Sequence, residues 1–208
     1  MSKSILINNG NLGRMGKTTL SYTIYKTASI PFKYVTNDLE NASVRLEKHI
    51  APEDLFHFPE GSKIELHPGN IIFDFGGKPD ERLLQVASYV DVVIVPIAYQ
   101  SISELQLTIK NINALKEQNS NIVVVINNTD NSDAKLVEMT LSATYPDMPV
   151  FIINHSKFIR RLANENQTVF EVAASNKGAA TQLNKKILPQ FKALFDHIGI
   201  IEVGTNNE

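Results

Sequence analysis

Short runs of apolar and β-branched residues recur along the chain at Ser4–Asn8, Phe32–Thr36, Ile71–Phe75, Val92–Pro96, Ile122–Asn127 and Val150–Ile153. Nearly all are apolar at successive rather than alternate positions, as in parallel strands covered by helices on both faces. Between them, apolar positions repeat near i, i+3, i+4: Leu83, Leu84, Val86 and Ala87; Leu105, Ile109, Ile112 and Leu115; Leu136, Val137, Met139 and Leu141. This alternation predicts a βαβ series. The fold class expected is α/β, a doubly wound, mostly parallel sheet of about 6–8 strands with helices on both faces. Asp80 and Ser132 are placed to cap two of the helices. The stretch Glu47–Asn70 is less regular, punctuated by Pro52, Pro59 and Pro68, with weak strand candidates at Leu55–Phe58 and Ile64–Leu66. No repeat, linker or second domain interrupts the pattern, so residues 1–208 read as one domain.

Composition narrows the setting. A chain of 208 residues with 43% hydrophobic content can bury a sizeable core. It has no cysteine, which excludes disulfides and thiolate metal sites and fits a reducing compartment. No apolar stretch approaches the roughly 20 residues of a membrane span, and the N-terminus enters a strand without a signal-like apolar region. A soluble, cytoplasmic protein is expected. A net charge of −2 carries no global attraction for polyanions, so any nucleic-acid contact must come from a local patch. The five histidines are scattered without metal-ligand spacing.

The first strand runs directly into Asn9-Gly10-Asn11-Leu12-Gly13-Arg14-Met15-Gly16-Lys17-Thr18-Thr19. Phosphate oxygens require converging backbone N–H groups, a positive helix end, an ammonium and a hydroxyl for magnesium, and Gly16-Lys17-Thr18 opening a helix supplies them. Gly13, Arg14, Met15, Gly16, Lys17, Thr18 and Thr19 are the candidate nucleotide-binding residues. Lys17 is expected to reach the β- and γ-phosphates and Thr18 to ligate Mg²⁺. The usual G-x-x-x-x-G-K-[ST] pattern has glycine where this chain has Asn11, a residue that tolerates positive φ.

Ligands of such sheets lie beyond the carboxyl ends of the strands. The second strand leads to Asp38, where a carboxylate can orient an attacking water, or equally form an Asx turn. The third core strand ends Ile71-Ile72-Phe73-Asp74, the form of a Walker B element, and places Asp74 in the outer coordination sphere of the magnesium. The strand ending at Asn127 offers an amide able to pair with an adenine edge, or simply turn chemistry. Asn128 stands where guanine-selecting N-K-x-D loops carry lysine, which favours ATP over GTP.

Taken in order, Asn8–Thr19, Thr36–Ser43, Ile71–Gly77, Val90–Leu105 and Phe158–Gly178 resemble the ParA/MinD group of deviant Walker ATPases, above all the small plasmid-type ParA partition proteins. The resemblance covers nearly the whole chain. It implies ATP and Mg²⁺ as cofactors and an ATP-dependent sandwich homodimer. It further implies non-specific DNA binding, and weak hydrolysis stimulated by a cargo adaptor or centromere-binding protein. By position it makes Lys17 the P-loop lysine, Thr18 the magnesium ligand, Asp74 the Walker B aspartate and Asp38 the water-activating aspartate, with Thr36 replacing the other aspartate of that segment.

The departure is at Leu12, where the family pattern K-G-G-x-G-K-[ST]-[ST] has its signature lysine, which reaches across the dimer to the partner's nucleotide. A cation supplied in trans to phosphoryl transfer is worth on the order of 10³ or more in rate. Two positions later the usual glycine is Arg14, a permanent cation that engages phosphate bidentately and is the candidate to take over that role. The alternative is a solvent-facing arginine and a protein that binds ATP while hydrolysing it slowly or not at all. Candidate DNA contacts are Lys157, Arg160, Arg161, Lys177, Lys185 and Lys186, whose effect would be sequence-independent and salt-sensitive. Such binding would make the cytoplasmic protein nucleoid-associated. The alternative function is a nucleotide-gated positioning scaffold, MinD-like or non-hydrolysing, acting through protein partners. The final apolar segment Leu188–Ile201 carries little positive charge, so packing against the domain is expected of it rather than membrane attachment.

Overall fold

The computed structural model describes residues 2–10, 12–37, 48–59, 61–63, 68–75, 82–156, 167–175 and 183–200. Asp38, the proposed Asp80 cap, the strand candidate Ile64–Leu66 and the basic residues Lys157, Arg160, Arg161 and Lys177 lie outside them.

Seven parallel strands form one sheet: β1 (Ser4–Ile7), β2 (Phe32–Thr36), β3 (Leu55–His57), β4 (Asn70–Asp74), β5 (Val92–Ile97), β6 (Ile122–Thr129) and β7 (Val150–Asn154). Their spatial order is β3-β2-β4-β1-β5-β6-β7, every pairing parallel. The chain therefore winds outward from β1 in one direction and then in the other, which sets the segment after β1 at the switch point. The helices are α1 (Lys17–Thr27), α2 (Arg82–Tyr89), α3 (Ile102–Lys116), α4 (Asn131–Thr144), α5 (Val169–Ser175) and α6 (Leu188–Ile198), the last preceded by a π turn at Leu183–Ile187.

The runs of consecutive apolar residues have the consequence expected of them, since all six residues of β5 are buried. One face of the sheet packs Ile5, Ile7, Tyr34, Ile72 and Ile94 against α1, α5, the π turn and α6. The other packs Leu6, Val35, Phe73, Val93 and Val95 against α2, α3 and α4. Each strand thus contributes a large side chain to both layers, worth about 1.5–3 kcal/mol when fully buried. The segment from Leu188 does pack on the domain, burying Phe191, Leu194, Phe195 and Ile198. It stops at Gly199, whose φ of 66° lets the Ile200 amide return to the Phe195 carbonyl at 3.1 Å. The Ile200 carbonyl then accepts from the Ser29 amide at 3.1 Å, tying the end of α6 to the end of α1.

Two boundaries differ from expectation by more than one residue. β6 continues through Asn127 to Thr129 with a register shift against β7, because Asn128 adopts a φ of 55° and its neighbours keep pairing around it. The cap of α4 is Asp130 rather than Ser132, which falls inside the first turn. Thr129-Asp130-Asn131-Ser132 offers several capping residues in a row, and the longer strand brings the helix start forward.

Candidate nucleotide site

The loop after β1 is built from hydrogen bonds that its own sequence and its neighbours supply. Asn8 continues the strand by donating its amide to the Ile94 carbonyl at 3.0 Å, and its side-chain oxygen accepts from the Gly10 amide. Asn9, fully buried, donates its side-chain amide to the Pro96 carbonyl at 2.9 Å and to Thr108 of α3 at 3.0 Å. A turn follows in which the Leu12 amide reaches the Asn9 carbonyl at 3.2 Å. Gly13 and Arg14 are exposed, and Arg14 holds a left-handed φ of 59°.

Met15 pins the loop to the sheet. Its side chain is buried, the Ala98 amide beyond β5 donates to its sulfur at 3.2 Å, and its carbonyl accepts from the Asn127 side chain of β6 at 3.3 Å. Gly16 follows at φ 82° and caps α1, and a Cβ there would stand 2.1 Å from Asn127 Nδ2. Only glycine satisfies both the left-handed backbone and this approach.

The start of α1 suits an anion. It has neither a side-chain cap nor an acidic residue in its first turn, which leaves its positive end for a ligand. Lys17, the first helical residue, is buried, and its ammonium lies within the curl of the loop, donating to the Leu12 carbonyl at 2.6 Å. Thr18 is half-buried in the same turn.

Asp74 closes the floor. As the last residue of β4 it is in register with Ile7, where β1 gives way to the loop, and with Thr36, where β2 ends. Its side chain is buried on the α1 face and accepts from the Tyr34 hydroxyl at 2.6 Å through Oδ2. Tyr34 is fully buried. Burial first, then the Asp74 charge and hydrogen bond, push its hydroxyl well above the ordinary tyrosine range, so it stays a neutral donor.

Beyond β6 and β7 a cavity of about 470 Å³ opens, lined by Thr129, Asp130, Asn131, Asn154, His155 and the π-turn residues Leu183, Lys186 and Ile187. Asn127 does not line it, its amide being turned to the loop carbonyl, while its neighbours Thr129–Asn131 do. Asn154 donates to Asn131 at 2.7 Å and is held by Gln190 of α6 through its backbone and side chain, at 3.0 and 2.6 Å.

No family model and no curated protein matches the sequence. Solved structures do, over nearly the full chain. A Cyanothece McdA variant in complex with ATP superposes with a TM-score of 0.69 at 14% identity, covering 97% of this chain and 98% of that one. This chain has the ParA/MinD fold. The septum site-determining protein MinD of Pyrococcus horikoshii, complexed with Mg-ADP, gives 0.57 at 20% identity over 86% and 92% of the two chains. A putative plasmid partition protein of Borrelia burgdorferi bound to AMPPNP gives 0.58 at 16% over 93% and 100%.

The ParA/MinD-like architecture gathers Lys17, Thr18, Asp74 and Asn127 around one loop, together with Met15 and Gly16. Arg14 stands on the outer rim. Lys185 and Lys186 are exposed on the π turn, the second of them on the cavity wall. Two contributors are absent from the sequence reading: Tyr34, which reads as one more apolar position of β2, and the cavity beyond β7. The residues present fit Mg²⁺ and a nucleotide triphosphate. The uncapped helix start and Lys17 would suit the phosphates, Thr18 would offer a hydroxyl to the metal, and Asp74 would offer a carboxylate to its waters.

Proposed function

We propose that the protein is a nucleotide-dependent positioning ATPase of the ParA/MinD kind. The observation that carries this is the joining of three features at one point: an uncapped helix start, a buried lysine folded into the loop, and a buried aspartate at the adjoining strand end. In this reading, Lys17 and the α1 amides bind the phosphates, Thr18 ligates the magnesium, and Asp74 holds the metal's waters. Asp38 activates the water. The base enters the cavity beyond β6 and β7, and the bound form pairs with a second copy. Lys185 and Lys186, with the basic residues around Arg160 and Lys177, give the dimer non-specific affinity for DNA. A cargo adaptor or centromere-binding partner stimulates turnover.

Calorimetric titration with ATP, with and without Mg²⁺, tests the core of this reading beside light scattering for oligomeric state. ATP binds and raises the mass to that of a dimer, and Lys17→Ala abolishes both. Binding of ATP by Lys17→Ala at the native affinity would defeat it. A Lys185→Glu/Lys186→Glu protein tests the DNA surface, and loses affinity and about two units of the slope of log affinity on log salt.

The half-buried apolar Leu12 favours a second reading, a nucleotide-gated scaffold that dimerises without turnover. Phosphate release measured beside the mass separates the two.

A further inference from the structure

The buried Tyr34–Asp74 hydrogen bond has no part in the phosphate chemistry described above. Tyr34 pairs with Ile72 across the β2–β4 ladder, two residues short of the Thr36–Asp74 pair, so its ring runs along the same face toward the strand ends. The ring is fully buried and meets Tyr25 edge-on, with centroids 6.1 Å apart. A tyrosine has only two side-chain torsions, and packing fixes both here. The hydroxyl is therefore a donor at a set place, 2.6 Å from Asp74 Oδ2. On its other side stands Ser21 of α1, whose hydroxyl is given to the Lys17 carbonyl at 2.8 Å.

We infer that Tyr34 is a positioning residue for the magnesium site: its hydroxyl holds Oδ2 of Asp74 and so fixes how the carboxylate is presented to the metal's water shell. This rests on the reading of Asp74 as the magnesium-side carboxylate. A neutral donor suits this task. It orients the carboxylate while leaving its negative charge to the cation, whereas a lysine or arginine there would cancel it.

The test is the magnesium dependence of ATP binding in Tyr34→Phe, which keeps the ring and removes only the donor. The ratio of ATP affinity with Mg²⁺ to that in EDTA falls by about three- to tenfold, at the lower end of what loss of a partner to a metal-site group costs. A purely structural role would lower the melting temperature and leave this ratio alone. Asp74→Asn serves as reference. If Asp74→Asn changes the ratio and a folded Tyr34→Phe does not, the Tyr34 assignment is wrong while the magnesium role of Asp74 stands. If Asp74→Asn leaves the ratio unchanged, the site reading itself fails. Should Tyr34→Phe not fold, 3-fluorotyrosine at position 34 reports on the intact chain. Its fluorine resonance moves when Mg²⁺ is added to the ATP-bound protein, and a resonance indifferent to Mg²⁺ overturns the inference.

Discussion

Gly16→Ala tests the packing of the loop against β6. Two costs follow from the geometry. An alanine at φ 82° carries the left-handed penalty of about 1–2 kcal/mol. Its Cβ also falls 2.1 Å from Asn127 Nδ2, a distance no pair of atoms tolerates, so the Asn127 amide must swing away and give up the Met15 carbonyl. Displacing a buried amide from its acceptor adds about 1–3 kcal/mol. That bond is long at 3.3 Å, so the lower half of this range applies. The total is about 2–4 kcal/mol, or roughly 5–12 °C in melting temperature for a chain of this size. Urea denaturation of Gly16→Ala, Asn127→Ala and the double variant resolves the two costs. Shortening Asn127 removes the collision, so Gly16→Ala costs only about 1–2 kcal/mol in that background, and the double variant is more stable than the sum of the singles by about 1–2 kcal/mol. Strict additivity, or a Gly16→Ala protein as stable as the native one, would refute the reasoning.

Arg14→Gly relieves a left-handed φ of 59° at an exposed position, so stability holds or rises by up to about 1 kcal/mol in denaturant titration. If Arg14 supplies charge to the partner's nucleotide, ATP turnover falls in the same protein by about tenfold or more, and unchanged turnover removes that role. Leu12→Lys restores a cation where the side chain is half-buried, while the backbone carbonyl that holds Lys17 is retained. ATP affinity stays within about threefold, because this carbonyl contact does not depend on the side chain. Phosphate release rises, and a variant no faster than the native chain shows that position 12 does not limit turnover. Burial pushes the Tyr22 and Tyr25 hydroxyls up to about 12, Tyr25 also through its bond to Asp54, and raises Tyr34 well above the ordinary tyrosine range. These groups keep their protons longer folded than unfolded. The stability they contribute is whole below the unfolded value near 10 and is lost as pH rises through about 10 to 12. Ring carbon resonances of Tyr22, Tyr25 and Tyr34 followed beside circular dichroism show their ionisation arriving with unfolding, and ionisation of these three near pH 10 in a folded protein would contradict the burial.

What the chain disclosed before folding was whatever local rules dictate. Both-face apolar runs mark parallel strands wherever they occur, and β2 matches its predicted limits from Phe32 to Thr36. Gly16-Lys17-Thr18 is legible because the turn, the ammonium and the helix start are all set by neighbours in sequence. β6 was cut short because its last residues, Asn127-Asn128-Thr129, are polar and one of them is left-handed, which hides the continued pairing. The role of Tyr34 and the anchoring contact of Met15, already a candidate in the loop, are illegible for another reason. Each acts across the fold, the tyrosine on a carboxylate 40 residues away and the methionine on an amide 83 residues away. A phenol within an apolar strand and a thioether within a loop look like packing until the strand order brings their partners alongside.

The altered loop thus separates into two parts that answer to different constraints. Its shape depends on Met15 under the Ala98 amide, on the Met15 carbonyl under Asn127, on Gly16, and on the Leu12 carbonyl facing the Lys17 ammonium. None of these contacts requires a lysine at position 12, and the only contribution of Leu12 among them is a backbone oxygen that any residue carries. Position 14 is likewise outside them, and its arginine costs the loop only the modest strain of a left-handed backbone. On the proposed function, binding a nucleotide and presenting charge to a partner's nucleotide would therefore be separable in this chain. The first is built into contacts that reach β5 and β6. The second would rest on the rim residues Leu12 and Arg14, where substitution changes charge while the cradle's contacts lie elsewhere.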